Sequence, residues 1–279
     1  MIANKFLLNA RTDDSEVVEL LNALLQQPLR GNRTDTMTRS LFNVSLQFDV
    51  REHIPLCMLR KQYIKGIFYE LKWFLQGRTD LEYLHDHNVH IWDANAQTHD
   101  GKVGPIYGHQ WRHFGQCDCY KGFDQIKYVI NELKKNPASR RIMLSGWCPP
   151  TIFNACLPPC HVSYNFNVCD GYLYTLVLQR SSDVALALSW NVCSATILTH
   201  MLANICGLKA HTITFSIANA HIYEIHEPVV REMIRTPIKE YPSFAIKQID
   251  TPREINDFEF NDLIIGPYNA PVLKLDMVV

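Results

Sequence analysis

From Asn191 to Cys206 the chain is almost wholly apolar, and Gly207 ends the run. The stretch is too long for a strand and reads as a helix. A helix that is apolar on nearly every side must be buried on nearly every side. The fold therefore has to wrap other elements around it. The chain has material for that: 279 residues, 47% hydrophobic and 20% charged, suit a single large domain, or at most two tightly packed ones. No repeat, low-complexity tract or linker divides it, which predicts one domain over residues 1–279.

The wrapping elements can be read from periodicity. Residues 15–27 repeat as a helix, with Asp14 or Ser15 as N-cap. Residues 62–76 form a second helix with a broad apolar side, stopped by Gly77. A third fits 123–135 and closes at Asn136-Pro137. Ser40 to Val50 alternates as a strand, and 211–218 is another. Runs 161–168 and 172–180 flank Cys169-Asp170-Gly171, whose Asp-Gly pair marks a hairpin turn. The expected class is α+β: a large mixed sheet packed by helices, one of them central.

A formal net charge of -1 gives no global field for a nucleic-acid polymer. Any positive charge that matters must be local. The apolar run near the N-terminus is too short for a signal h-region. No stretch reaches the ~18 apolar residues of a membrane span. Nine cysteines without disulfide-framework spacing fit a reducing, cytoplasmic setting.

Cys160 follows Pro158 and Pro159 and stands just before a strand. The prolines fix the backbone and so orient the thiol. Nearby cations would lower its pKa towards the nucleophilic thiolate; Arg140, Arg141 and Arg180 are the candidates. Arginine is also the side chain best shaped to hold a phosphate. A thiol among such arginines suggests a phosphorylated small molecule attacked by sulfur. Taken singly, a cysteine is more often a small apolar core residue, and adjacent arginines more often a solvated pair. Zinc is a competing reading for Cys148, Cys156, Cys160 and His161, or for Cys117 and Cys119. Their spacing is not that of structural zinc sites, and neighbours on a strand face opposite ways.

Longer strings narrow the choice. Tyr69-Glu-Leu-Lys-Trp-Phe-Leu-Gln-Gly77, Ile91-Trp-Asp93, Gly104-Pro-Ile-Tyr-Gly-His-Gln-Trp-Arg112, Ser139-Arg-Arg-Ile142, Leu157-Pro-Pro-Cys-His161, Gln179-Arg-Ser-Ser-Asp183, Asn191 and Asn219-Ala-His-Ile-Tyr223 occur in that order. They resemble the core motifs of thymidylate synthases from about Arg33 to the end of the chain. The resemblance implies that Cys160 adds to C6 of deoxyuridylate, in a catalytic set with Glu70, Tyr107, Asp183 and Asn191. Arg33, Arg180 and Ser181 would hold the phosphate, joined by Arg140 and Arg141 from the other subunit of a homodimer. Asn191 would pair with O4 and N3 of the ring, and His221 and Tyr223 with the 3′-hydroxyl. Ile91, Trp92, Leu157, Asp183 and Val279 would line the side of the cosubstrate, methylenetetrahydrofolate, which is both carbon donor and reductant; no metal is required. Glu70 would organise proton-carrying waters, and its apolar neighbours should raise its pKa.

Several positions depart from the family pattern. Arg33-Thr-Asp-Thr-Met-Thr38 lacks the usual glycines after the arginine. Asn95 stands where tryptophan is common, and Leu186-Ala-Leu-Ser-Trp-Asn191 replaces Leu-Gly-Leu-Pro-Phe-Asn. Ile217-Ala218-Asn219 and Asn165 also differ. These changes cluster around the folate and the base, so a nucleotide hydroxymethylase of the same fold is the main rival. Trp92 and Leu157 would exclude water and favour methylation; Asn191 suits uracil better than cytosine. A retired member serving as an RNA-binding or scaffold protein is the rival of another class, against which stand the intact Cys160, Glu70 and arginines.

Overall fold

The computed structural model describes residues 10–249 and 251–278. The apolar run becomes a helix, α7 in chain order, spanning Leu188–Cys206 and buried on most of its sides. Gly207 takes φ 67 and caps it in the left-handed region. Two of its buried hydroxyls bond back to the helix. Thr196 and Thr199 hydroxyls donate to the carbonyls of Val192 and Ala195 at 2.9 and 2.8 Å.

Among the described residues seven helices precede or follow it in supporting roles: α1 Ser15–Leu25, α2 Ile64–Leu75, α3 Glu82–Asp86, α4 Asp93–Gln97, α5 Tyr107–His113, α6 Gln125–Lys135 and, after α7, α8 Glu227–Arg235. The strands are β1 Thr38–Asp49, β2 Met143–Ser145, β3 His161–Cys169, β4 Tyr172–Gln179, β5 Ser182–Asp183, β6 Lys209–Tyr223, β7 Phe244–Ile246 and β8 Leu263–Ile265. The main sheet runs β1-β6-β4-β3-β2, with β5 also on β6; β7 and β8 pair separately. β4 and β5 lie parallel to β6, whereas β1 is antiparallel to it. A parallel pair cannot be joined by a tight turn. The chain between β4 and β6 carries the short β5 and then α7, so the core helix is also the crossover. The β3–β4 hairpin turns at Asp170 and Gly171 with φ 51 and 79, both left-handed as a two-residue primed turn requires.

The expected α+β class and buried helix hold. Differences lie at the edges. β6 is longer than the 211–218 run because β1 pairs with it from Asp49↔Thr212 to Thr38↔Tyr223. Asp14 stands at the N-cap position of α1 as expected, but its side chain serves elsewhere. Asp14 makes no cap bond; it is buried and accepts from the Met58 N–H at 2.6 Å and the Tyr241 hydroxyl at 3.1 Å. Burial outweighs those donors and pushes its pKa up to about 7.

Candidate active site

The C-terminal ends of β4 and β5, the start of α7 and the end of β6 converge on a cavity of about 750 Å³. Cys160, Glu70, Tyr107, Asp183, Asn191, Arg33, Arg180, Ser181, His221, Tyr223, Ile91, Trp92 and Leu157 all line it, although they come from distant stretches of sequence. Arg140 and Arg141 do not. They border a separate depression with Tyr128 and Glu132. Of the C-terminal tail, Leu275, Met277 and Val278 reach the cavity; Val279 lies outside the described residues.

At one end, backbone groups fix the thiol. The Cys160 N–H donates to the Tyr107 hydroxyl at 2.7 Å, and the Arg180 N–H donates to the Cys160 carbonyl at 3.0 Å. The Arg180 guanidinium donates to the carbonyls of Pro159 and Pro158 at 3.0 and 2.6 Å. The two prolines thus hold the arginine as well as the cysteine. The charge expectation needs correction. Burial pushes the Cys160 thiol up, and although Arg180, the Tyr107 hydroxyl and Arg33 pull it back, the net direction within one chain is upward. Arg140 and Arg141 supply no part of that pull.

At the other end sits Glu70, buried on α2. Its two oxygens accept from the indole N–H of Trp92 at 2.8 Å and of Trp190 at 2.6 Å. Burial raises its pKa to about 7; the indoles offset this only in part. Trp190, one of the departures, received no role from the sequence, and no periodicity could have paired it with Glu70.

Two histidines were also missed. His161 is buried, bonds to the Tyr164 hydroxyl at 3.1 Å and to the Asn191 side chain, and is pushed down to about 4 by burial. It is therefore neutral near pH 7 beside the Asn191 side chain. His226 is buried, donates from Nε2 to the Asp276 carbonyl at 2.9 Å, and places Nδ1 3.5 Å from Asp183 Oδ2. The other Asp183 oxygen accepts from the N–H groups of Ala185 and Leu186, each at 3.0 Å. Burial alone would push His226 down, but Asp183 and the Asp276 carbonyl outweigh it and raise its pKa. His226 so links the cavity wall to the tail. The β5–β6 register sets Asp183 beside His221, whose Nδ1 lies 3.0 Å from Asn219 Oδ1.

The departures are accommodated. Ala187 has φ -104 and ψ -27, backbone that needs no glycine. In the glycine-poor loop, Asn32 Oδ1 accepts from the Thr34 N–H at 2.7 Å while its amide donates to the Thr36 carbonyl at 2.8 Å. That Asx-type turn does the folding work glycines do elsewhere. Asn95 is buried in the wall. Cys117 and Cys119 lie outside the cavity on an exposed turn, sulfurs 3.2 Å apart.

The family model described as thymidylate synthase matches residues 18–279. Thymidylate synthases of three Coxiella burnetii strains (Dugway 5J108-111, RSA 331 / Henzerling II and RSA 493 / Nine Mile phase I) are each 37% identical over 251 residues, covering 90% of this chain and 94% of the relative. With the motif residues gathered in one cavity and the match running over nearly the whole chain, the protein belongs to the thymidylate synthase family of methyl-transferring enzymes.

Proposed function

We propose that the chain converts deoxyuridylate to thymidylate by reductive methylation, with methylenetetrahydrofolate as cosubstrate. One observation carries this reading: a single cavity holds a thiol beside Arg180 and Arg33 at one end and a carboxyl that titrates near neutrality at the other. The Cys160 thiolate adds to C6 of the base. Arg33, Arg180 and Ser181 hold the phosphate, and His221 and Tyr223 the 3′-hydroxyl. Asn191, beside neutral His161, binds O4 and N3. Glu70 takes and returns protons through water, a task suited to a pKa near the working pH.

The cosubstrate supplies the one-carbon unit and the hydride. Ile91, Trp92, Leu157 and the tail residues give it apolar walls, and Asp183 Oδ2, which has no conventional hydrogen-bond partner among the described residues, offers an acceptor to ring N–H groups. Trp92 is tied to Glu70 and keeps the wall closed to water, which favours reduction over hydroxymethylation.

The reading includes a homodimer in which a second copy donates Arg140 and Arg141. Its support is the outer face of the sheet, where Met143, Asn165 and Leu176 share one row and Met143, Leu176 and Leu178 are exposed. Arg141 stands two residues from that row. Among the described residues no helix is long and apolar enough to cross a membrane. A cytoplasmic setting is supported by nine free thiols.

The test is incubation with deoxyuridylate and methylenetetrahydrofolate, reading nucleotide mass and dihydrofolate absorbance. Thymidylate matched by dihydrofolate, lost in Cys160→Ser, is the expected result. A hydroxymethyl nucleotide formed with tetrahydrofolate would overturn it, as would turnover of deoxycytidylate alone.

A further inference from the structure

Outside the cavity, on the opposite side of the segment that carries Ile91 and Trp92, three side chains converge that the proposed reaction does not use. His85 Nε2 lies 2.8 Å from Asp93 Oδ1, and His90 Nδ1 lies 3.0 Å from Asp93 Oδ2. The ligand-capable atoms all fall within 4.8 Å of one another. The two imidazoles are stacked, centroids 5.0 Å apart and 26° between planes. We propose that His85, His90 and Asp93 form a surface site for a divalent transition metal of the zinc, cobalt, nickel and copper class.

The donor set selects that class. Two imidazoles and one carboxylate suit borderline ions, whereas magnesium and calcium prefer all-oxygen cages. Tetrahedral ligands about 2.0–2.1 Å from zinc stand roughly 3.3 Å from one another. The two histidine–carboxylate spacings, 2.8 and 3.0 Å, lie just below that value and no pair exceeds 4.8 Å, so small side-chain rotations bring the three residues onto one ion. The metal would displace the protons now shared between the imidazoles and the carboxylate. The side chains are roughly half exposed, which leaves the remaining coordination positions to water.

The frame beneath them is not loose. Asn88 takes φ 57 to turn the chain, the Val89 N–H donates to the Leu84 carbonyl at 2.9 Å, and the Asp93 N–H to the His90 carbonyl at 3.2 Å. Val89 and Trp92 are buried on either side of His90. Buried anchors thus hold the ligand-bearing positions in place, the preorganisation a metal site needs. Asp93 directly follows Trp92, whose indole holds Glu70. An ion at this site therefore sits one residue from the cavity wall, where Trp92 fluorescence can report it.

The experiment is titration of the reduced full-length protein with Co²⁺, followed by visible absorption and equilibrium dialysis. Cys117→Ser/Cys119→Ser is run alongside, because thiolates are the competing ligands. The expected result is one tightly held equivalent with weak d–d bands, no sulfur-to-cobalt charge-transfer band, and the same binding in the double cysteine variant. His90→Ala and Asp93→Asn should each weaken it by at least the roughly tenfold seen when even an outer-shell partner is lost. These side chains are exposed, and unchanged circular dichroism confirms that each variant folds. Should either variant fold poorly, diethyl pyrocarbonate labelling of the wild type decides: the ion must protect His85 and His90. Unaltered binding in both variants, a thiolate band, or no protection would overturn the proposal.

Discussion

The two ends of the cavity are built by different means. The thiol end is held by bonds to main-chain groups: the Tyr107 hydroxyl meets the Cys160 N–H, and Arg180 is anchored to the carbonyls of Pro158, Pro159 and Cys160. At the carboxyl end Glu70 is held by side chains alone: it and its donor Trp190 are 120 positions apart. The other member of that end, the Asp183–His226–Asp276 link, joins β5 to the tail. A site fixed by backbone tolerates change around it. One fixed by side chains can be retuned by a single substitution, and this is where the departures from the family pattern gather.

The largest effect should come from Glu70→Gln, which lowers kcat by on the order of 10²- to 10⁴-fold. The same change should stabilise the protein at alkaline pH. A carboxyl raised from 4.5 to about 7 keeps its proton in the fold, so its burial costs stability increasingly as pH rises from 4.5 through 7. The gain above pH 7 is on the order of 3 kcal/mol, readable as the difference between denaturation midpoints of variant and wild type at pH 5 and pH 8. A gain over wild type no larger at pH 8 than at pH 5 would show that Glu70 is not buried as described.

Next is Arg180→Lys, which keeps the charge but cannot span the Pro158 and Pro159 carbonyls while presenting a fork to phosphate. A loss of roughly 10- to 100-fold in kcat/KM is expected, mostly in KM for the nucleotide. A loss confined to kcat would place Arg180 with the thiol chemistry and blur the contrast between the ends.

Trp190→Phe should cost roughly tenfold in kcat, as a removed hydrogen bond to a charged group predicts. Losing a donor to the carboxylate raises the Glu70 pKa further, so the limb of the kcat–pH profile due to Glu70 should move to higher pH. An unmoved limb would mean that Trp92 alone sets that value.

The smallest effect concerns the tail. His226 titrates above its ordinary value, so the stabilisation it gives through Asp183 is full below that ordinary value and fades as pH rises through the raised one. Carboxypeptidase should therefore trim the C-terminal segment more slowly at pH 6 than at pH 8. In His226→Ala, trimming should be fast at both.

The same contrast explains what the sequence disclosed. The buried helix, the hairpin at Asp170-Gly171 and the Cys160 strand rest on local periodicity and turn chemistry, and each is found where those signals lie. The cavity-lining residues were named by ordered strings, and the fold gathers them. Trp190 and His226 carried no such signal, and His161 stood in the Leu157–His161 string without a role, because what these residues do depends on partners that only tertiary packing supplies. Asp14 shows the same limit: its position suggested a helix cap, and Met58 and Tyr241 claimed the side chain instead.

The pairing of β1 with β6 has a consequence for synthesis. β1 ends at Asp49 and its partner begins at Lys209. At about 5–20 residues per second, the first strand leaves the ribosome roughly ten or more seconds before there is anything to pair with. His221 and Tyr223, opposite Ser40 and Thr38, are among the last residues of the cavity to be made. A nascent chain carries Cys160 before the far wall of its cavity exists, and the alternating apolar residues of β1 are the segment most in need of protection while it waits.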